Sequence, residues 1–269
     1  MTNGDMQTRP RCVARYADVN YYGGHYLEAG LAAIEQTQRR FPLRANTDTK
    51  HYSDDGHQRY HFINTRFGAQ LRGRILDVGS RHNTLRDVLK KEAELVDKHN
   101  PALPNFDWEL EPLPFASNSF DTVVCLDTLE HIDALHTALD DLVRVSKQFI
   151  IVSLPNCWRS TSREVLCARS RSASYGLPPE APHDRHKWYF NSEDIEAFMS
   201  YNAQRLGLQV HSLWFHAPRR KWTHTLLQLA IRALPERYFK NLLVKTVFVC
   251  LEKPQEHRAV ALAAGGLST

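Results

Sequence analysis

A chain of 269 residues has room for one large α/β domain with elaborations, and 42% apolar residues are ample for its core. Its 34 basic and 30 acidic side chains leave a net charge of +4 spread over both halves, too mild to specify a nucleic-acid surface. Five cysteines without CxxC spacing (Cys12, Cys125, Cys157, Cys167, Cys250) argue against a disulfide framework or a zinc cluster and fit a reducing cytoplasm; no apolar stretch approaches the roughly 20 residues of a membrane span, so a soluble protein is expected.

Residues 1–73 read as an N-terminal arm and helical extension. After an aperiodic start, Leu27, Leu31 and Ile34 recur at helical spacing through Leu27–Arg39, and Pro42 ends the pattern. Tyr52–Gly68 is aromatic and His-rich without a clear period, a loop with at most a short helix. From Arg74 strands and helices alternate, which predicts a parallel sheet covered on both faces. Ile75–Val78 is the first strand, Leu85–Lys91 a short helix, Ala93–Val96 a second strand and Asp107–Leu110 a third, at an edge. Thr122–Leu126 is a central strand, a helix runs from Leu129 to Val145, and Phe149–Ser153 is a strand stopped by Pro155. A polar loop, 156–186, leads to the helix Ser192–Leu206, capped by Asn191 and acidic in its first turn. Gln209–Phe215 and Val244–Leu251 are the last strands. Between them, the helix Trp222–Leu234 follows Arg219-Arg220-Lys221 and suits core packing, a lid or a weak membrane-surface contact. Residues 255–269 read as a disordered tail.

The strand Arg74-Ile75-Leu76-Asp77-Val78-Gly79-Ser80 breaks into a glycine turn, and such a strand end makes the ligand crevice of an open α/β sheet. Gly79 allows close passage of backbone to a ligand. Asp97, at the tip of the second strand, is suited to both hydroxyls of a ribose, and Glu109 with the Leu110 amide to the edge of adenine. Each acidic position alone also reads as a turn or helix cap; their ordered recurrence describes an adenosine pocket.

These residues carry a resemblance. Ile75–Ser80 resembles the first motif of class I S-adenosylmethionine-dependent methyltransferases. Glu109–His131, with Pro112-Leu113-Pro114-Phe115, Asn118-Ser119-Phe120-Asp121 and Leu129-Glu130-His131, is similar to that family's type 11-like, small-molecule branch. Ser153-Leu154-Pro155-Asn156 and Trp188–Asp194 extend the likeness to roughly Arg74–Glu252. The resemblance implies a Rossmann-like, seven-stranded, mostly parallel sheet with its last strand antiparallel and helices on both faces, in a methyltransferase domain over 74–254. It implies S-adenosyl-L-methionine as cofactor. Asp77 and Gly79, with Ser80 and Arg81 in the loop, would line its methionine part, Asp97 the ribose, Glu109 and Leu110 the adenine, and Leu126 and Asp127 the sulfonium end. The sequence departs from the family at Arg81 and Asn83, which stand where two glycines are usual; Arg81 either contacts the cofactor carboxylate or intrudes on the site.

At the acceptor, His131 is the candidate base, with packing or capping as the plainer reading. Asp127, Glu130 and His131, if they share one helix face, resemble the Glu-x-x-Glu-His set of metal-dependent O-methyltransferases, with His183 or His186 as a further ligand; Asp127-x-x-Glu130 also reads as a capping box, which needs no metal. The expected function is O-methylation of a small-molecule or glycan-like acceptor. The alternatives are a metal-assisted RNA 2′-O-methyltransferase, which the modest charge disfavours, and a non-catalytic binding protein of the same fold.

Overall fold

The computed structural model describes residues 25–52, 57–80, 84–97, 107–109, 111–168, 175, 177, 179–182, 184–218 and 235–254. The N-terminal arm, Arg81, Asn83, Leu110, His183, the expected helix Trp222–Leu234 with its basic head, and the tail lie outside them.

Seven strands form one sheet: β1 (Thr47–Asp48), β2 (Ile75–Val78), β3 (Glu94–Val96), β4 (Phe120–Leu126), β5 (Ser146–Pro155), β6 (Gln209–His216) and β7 (Thr246–Glu252). Their order across the sheet is β1-β6-β7-β5-β4-β2-β3. β7 alone among them runs antiparallel to its neighbours, as the resemblance implied. The helices are α1 (His25–Arg40), α2 (Gln58–Phe67), α3 (Thr84–Leu89), α4 (Leu135–Val145), α5 (Cys157–Leu166), α6 (Ser192–Arg205) and α7 (Glu236–Leu242).

Because successive side chains of a strand point to opposite faces, the apolar runs of β4 and β5 feed two cores. Val123, Cys125, Ile150, Val152 and Leu154 join Leu139 and Leu142 of α4 and Ile195 and Met199 of α6. Val124, Leu126, Phe149 and Ile151 join Phe62, Ile63 and Phe67 of α2 and Leu85 of α3 on the other face. There Phe62 stacks on Phe248 of β7, centroids 4.0 Å apart. Asn191 caps α6 as expected: Oδ1 accepts from the Glu193 and Asp194 amides at 2.8 and 3.1 Å, and Asp194 Oδ2 accepts from the Asn191 amide at 2.9 Å. A buried pair, Lys240 Nζ to Glu196 Oε2 at 2.8 Å, ties α7 to α6, and Gln38 of α1 donates to the same oxygen at 3.2 Å. Among the described residues no helix is long and apolar enough to cross a membrane.

The seven strands are not the seven expected. Asp107-Trp108-Glu109 is a turn: the Glu109 amide donates to Asp107 Oδ1, Trp108 Nε1 donates to Asp141 Oδ2 at 3.1 Å, and the Leu113 amide donates to the same oxygen. Asp141, from α4, thus holds this segment by the Trp108 indole and the Leu113 amide. The seventh strand is Thr47–Asp48, at the opposite edge beside β6. Tyr52–Gly68 contains a ten-residue helix, α2, whose N-cap His57 makes no side-chain cap and so left no start signal. The loop after β5 contains α5, where Asn156 Oδ1 accepts from the Trp158 amide at 3.1 Å. The long helix from Leu129 is divided into a 3-10 turn, Leu129–His131, and α4.

Candidate active site

The sheet order reverses at β2, which has β3 on one side and β4 on the other, so the crevice lies beyond the carboxyl ends of these strands. Asp77 is fully buried there; Oδ2 accepts from the Tyr60 hydroxyl at 3.1 Å, and Oδ1 has no partner among the described residues. Burial raises its carboxyl from 3.8 to about 7, opposed by hydrogen bonds from Ser80 and Tyr60 and reinforced by the charge of Asp97. Asp97 and Ser80 are themselves buried. The structure therefore brings Asp77, Ser80 and Asp97 together. The orphan oxygen of Asp77 fits a cationic ligand group such as the cofactor's ammonium.

Gly79 has φ +79°, and a Cβ on it would come within 2.2 Å of Thr128 Oγ1. Its missing side chain is therefore also needed for packing against Thr128. Leu126 ends β4, buried. Asp127 follows with φ +46°; Oδ1 accepts from the Ser153 hydroxyl at 2.5 Å, and Oδ2 lies 2.9 Å from Arg59. Among the described residues Asp127 caps no helix: the N-cap position of the 3-10 turn is Thr128, without a side-chain cap bond. With Asp127 outside the turn and both of its oxygens engaged, the shared helix face for Asp127, Glu130 and His131 is not formed. Glu109 is exposed, and its Oε1 accepts from the Asp133 amide at 2.6 Å.

Two site residues that the sequence did not point to come from adjacent positions on α2. Arg59 pairs with Asp127, whose charge is the main reason its guanidinium stays firmly protonated, and Tyr60 reaches Asp77. Nothing local distinguishes them from other surface Arg and Tyr residues.

Glu130, His131 and His186 offer ligand atoms that all lie within 4.8 Å of one another. Glu130 is 1% exposed, and its Oε2 has no partner among the described residues; burial first, then the charge of Asp127, pushes its carboxyl well above the usual range. His131 Nδ1 lies 2.7 Å from Asp184 Oδ1, off the line of a directed hydrogen bond, and Nε2 lies 3.8 Å from Glu130 Oε1. His186 packs edge-on against His131, and burial with that neighbour lowers its ring to about 4, keeping it neutral. One carboxylate and two imidazoles are a donor set for a divalent transition metal, and the unsatisfied buried oxygen fits that group.

Residues 76–149 match the model of the methyltransferase domain family. No curated protein matches the chain. Solved structures similar to it include a SAM-dependent methyltransferase from Archaeoglobus fulgidus (15% identity over 74% of this chain and 95% of that one, TM-score 0.48). Others are the methyltransferase domain of bacterial CtHen1-CN (15%, 73% and 98%, 0.44) and magnesium protoporphyrin IX methyltransferase from Synechocystis PCC 6803 with bound SAH (14%, 74% and 83%, 0.41). The matched segment runs from β2 into the start of β5, the part of the sheet that carries Asp77, Asp97 and Asp127, and it supports a class I S-adenosylmethionine-dependent methyltransferase, an enzyme with S-adenosylmethionine as its cofactor.

Proposed function

We propose that the enzyme methylates a hydroxyl oxygen of a small-molecule or glycan-like acceptor, with Glu130, His131 and His186 holding a divalent cation beside that hydroxyl. The observation that carries this reading is the convergence of their ligand atoms within 4.8 Å, one of the residues being a buried carboxylate with an unpartnered oxygen. When bound, the cofactor supplies a methyl already activated on a sulfonium and the cation supplies Lewis acidity toward the hydroxyl. The chain's own part is binding and orientation. Asp77 would take the cofactor ammonium on Oδ1, and Gly79, Ser80 and Arg81 would hold its methionine part. Asp97 would accept from the ribose hydroxyls, Glu109 and Leu110 would bind the adenine, and Leu126 and Asp127 would close the sulfonium end. Trp188 and Tyr189, exposed beside His186, offer ring faces suited to a sugar or aromatic acceptor. A cytoplasmic setting belongs to the same reading and is supported by the free Cys125, Cys157, Cys167 and Cys250.

A second reading rests on the contact between Asp184 and His131: with Nδ1 against a carboxylate, Nε2 of His131 takes the hydroxyl proton without a cation. One assay tests both. Chelator-treated enzyme is incubated with methyl-labelled S-adenosylmethionine and a panel of phenols and sugars, with and without Mn2+, and products are identified by mass. Methyl ether that appears only with Mn2+ is the expected result, and ether formed equally without it selects the base reading. Methylation at nitrogen or carbon overturns both.

A further inference from the structure

A hydrogen-bonded chain runs away from the Glu130, His131 and His186 cluster, and its direction is fixed by its far end. The Pro155 carbonyl, at the end of β5, can only accept, and Cys157 Sγ donates to it at 3.6 Å. The thiol proton being used there, the sulfur is an acceptor, and the Tyr175 hydroxyl donates to it. The other acceptor open to that hydroxyl, the Trp188 carbonyl at 3.2 Å, also cannot donate. By either route the single hydroxyl proton of Tyr175 is committed. With its proton on either of these partners, its oxygen meets His186 Nδ1, 2.7 Å away, as an acceptor. That arrangement puts the imidazole proton on Nδ1 and leaves Nε2 its lone pair.

We propose that Tyr175 is a positioning residue that holds His186 in the Nδ1–H tautomer and so supplies the cluster with a second imidazole ligand. The inference rests on the cation reading given under Proposed function. A free histidine side chain prefers its proton on Nε2, the nitrogen that must here be bare, so an acceptor placed at Nδ1 is what selects the ligating form. The ring is also held against rotation, packed edge-on by Tyr175 at 5.2 Å and by His131 at 4.6 Å. Tyr175 in turn is braced edge-on by Tyr189, centroids 4.9 Å apart.

The test uses the full-length protein and begins without metal. Long-range 1H–15N correlations of the imidazole rings, with His186 assigned from the spectrum of His186→Gln, report which nitrogen is protonated. The wild type should show Nδ1–H. Cys157→Ala should show the same, because the Trp188 carbonyl remains for the Tyr175 hydroxyl, and Tyr175→Phe should move to Nε2–H. Titration with Co2+, followed by visible absorption, should then show Tyr175→Phe binding about 10–100-fold more weakly than wild type, with unchanged affinity for S-adenosylhomocysteine. An Nε2–H tautomer in the wild type, or wild-type Co2+ affinity in Tyr175→Phe, overturns the proposal. The wild-type spectrum decides the tautomer even if Tyr175→Phe fails to fold. Absence of Co2+ binding by the wild type overturns the cation reading and the role of Tyr175 with it, and is distinct from a wrong tautomer, which is read without metal.

Discussion

Asp77→Asn should make the ligand-free enzyme more stable at alkaline pH while weakening its grip on the cofactor. The Asp77 carboxyl is fully buried, and its value moves from 3.8 to about 7 on folding. A folded-state value above the unfolded one means that the folded protein binds the extra proton: the associated stability is complete below about pH 4, falls as pH rises, and is gone above about pH 7. At 1.36 kcal/mol per pH unit, the loss across that window is about 4 kcal/mol. Asparagine keeps the volume and an acceptor for Tyr60 but cannot ionise. Urea unfolding of the ligand-free protein should therefore give wild type and Asp77→Asn similar stabilities near pH 3.5, with the variant ahead by up to about 4 kcal/mol near pH 8.5. Calorimetry with S-adenosylhomocysteine at pH 8.5 should show the reverse ranking, because the neutral amide no longer pairs with an ammonium. A variant less stable than wild type at pH 8.5, or one that binds S-adenosylhomocysteine equally well, would refute the reasoning that Asp77 is a strained carboxylate kept for a cation.

Gly79→Ala should cost about 2–4 kcal/mol, since the new methyl meets Thr128 Oγ1 at 2.2 Å and the backbone stands at φ +79°; a melting temperature equal to wild type would contradict that packing. Lys240→Met should strand Glu196 in the core at a cost of about 3–5 kcal/mol, and adding Glu196→Leu should recover most of it. Urea midpoints of the single and double variants check this, and an undiminished single variant would mean that the pair does not hold α7 to α6.

The central sheet was legible because β2, β4 and β5 are buried on both faces, and burial on both faces demands continuous apolar runs that need no context to recognise. The edges were not. Thr47–Asp48 is too short to carry a period, and Asp107–Glu109 looked like a strand only because its partner, Asp141, lies on a helix more than thirty residues away. The helix α5 did carry a signal, Asn156 followed by a run free of proline and glycine, which the polarity of that stretch obscured. At the site, Asp77, Asp97, Asp127, Glu130 and His131 could be found because strand ends and their following turns are marked in sequence. Arg59, Tyr60 and Tyr175 could not, since each owes its place to a contact made across the fold rather than to its neighbours in the chain.

Arg59 and Tyr60 are consecutive in sequence, yet one engages a carboxylate just past β4 and the other a carboxylate within β2. The first turn of α2 therefore works as a staple over the seam between the two strands where the sheet changes direction. Ligand exchange and the seating of that turn are therefore linked: a molecule that engages Asp77 or Asp127 shares that carboxylate with Tyr60 or Arg59. Limited proteolysis or hydrogen exchange at Gln58–Phe67 would consequently report on occupancy of the crevice, although none of that segment lies within the stretch of chain that marks the family.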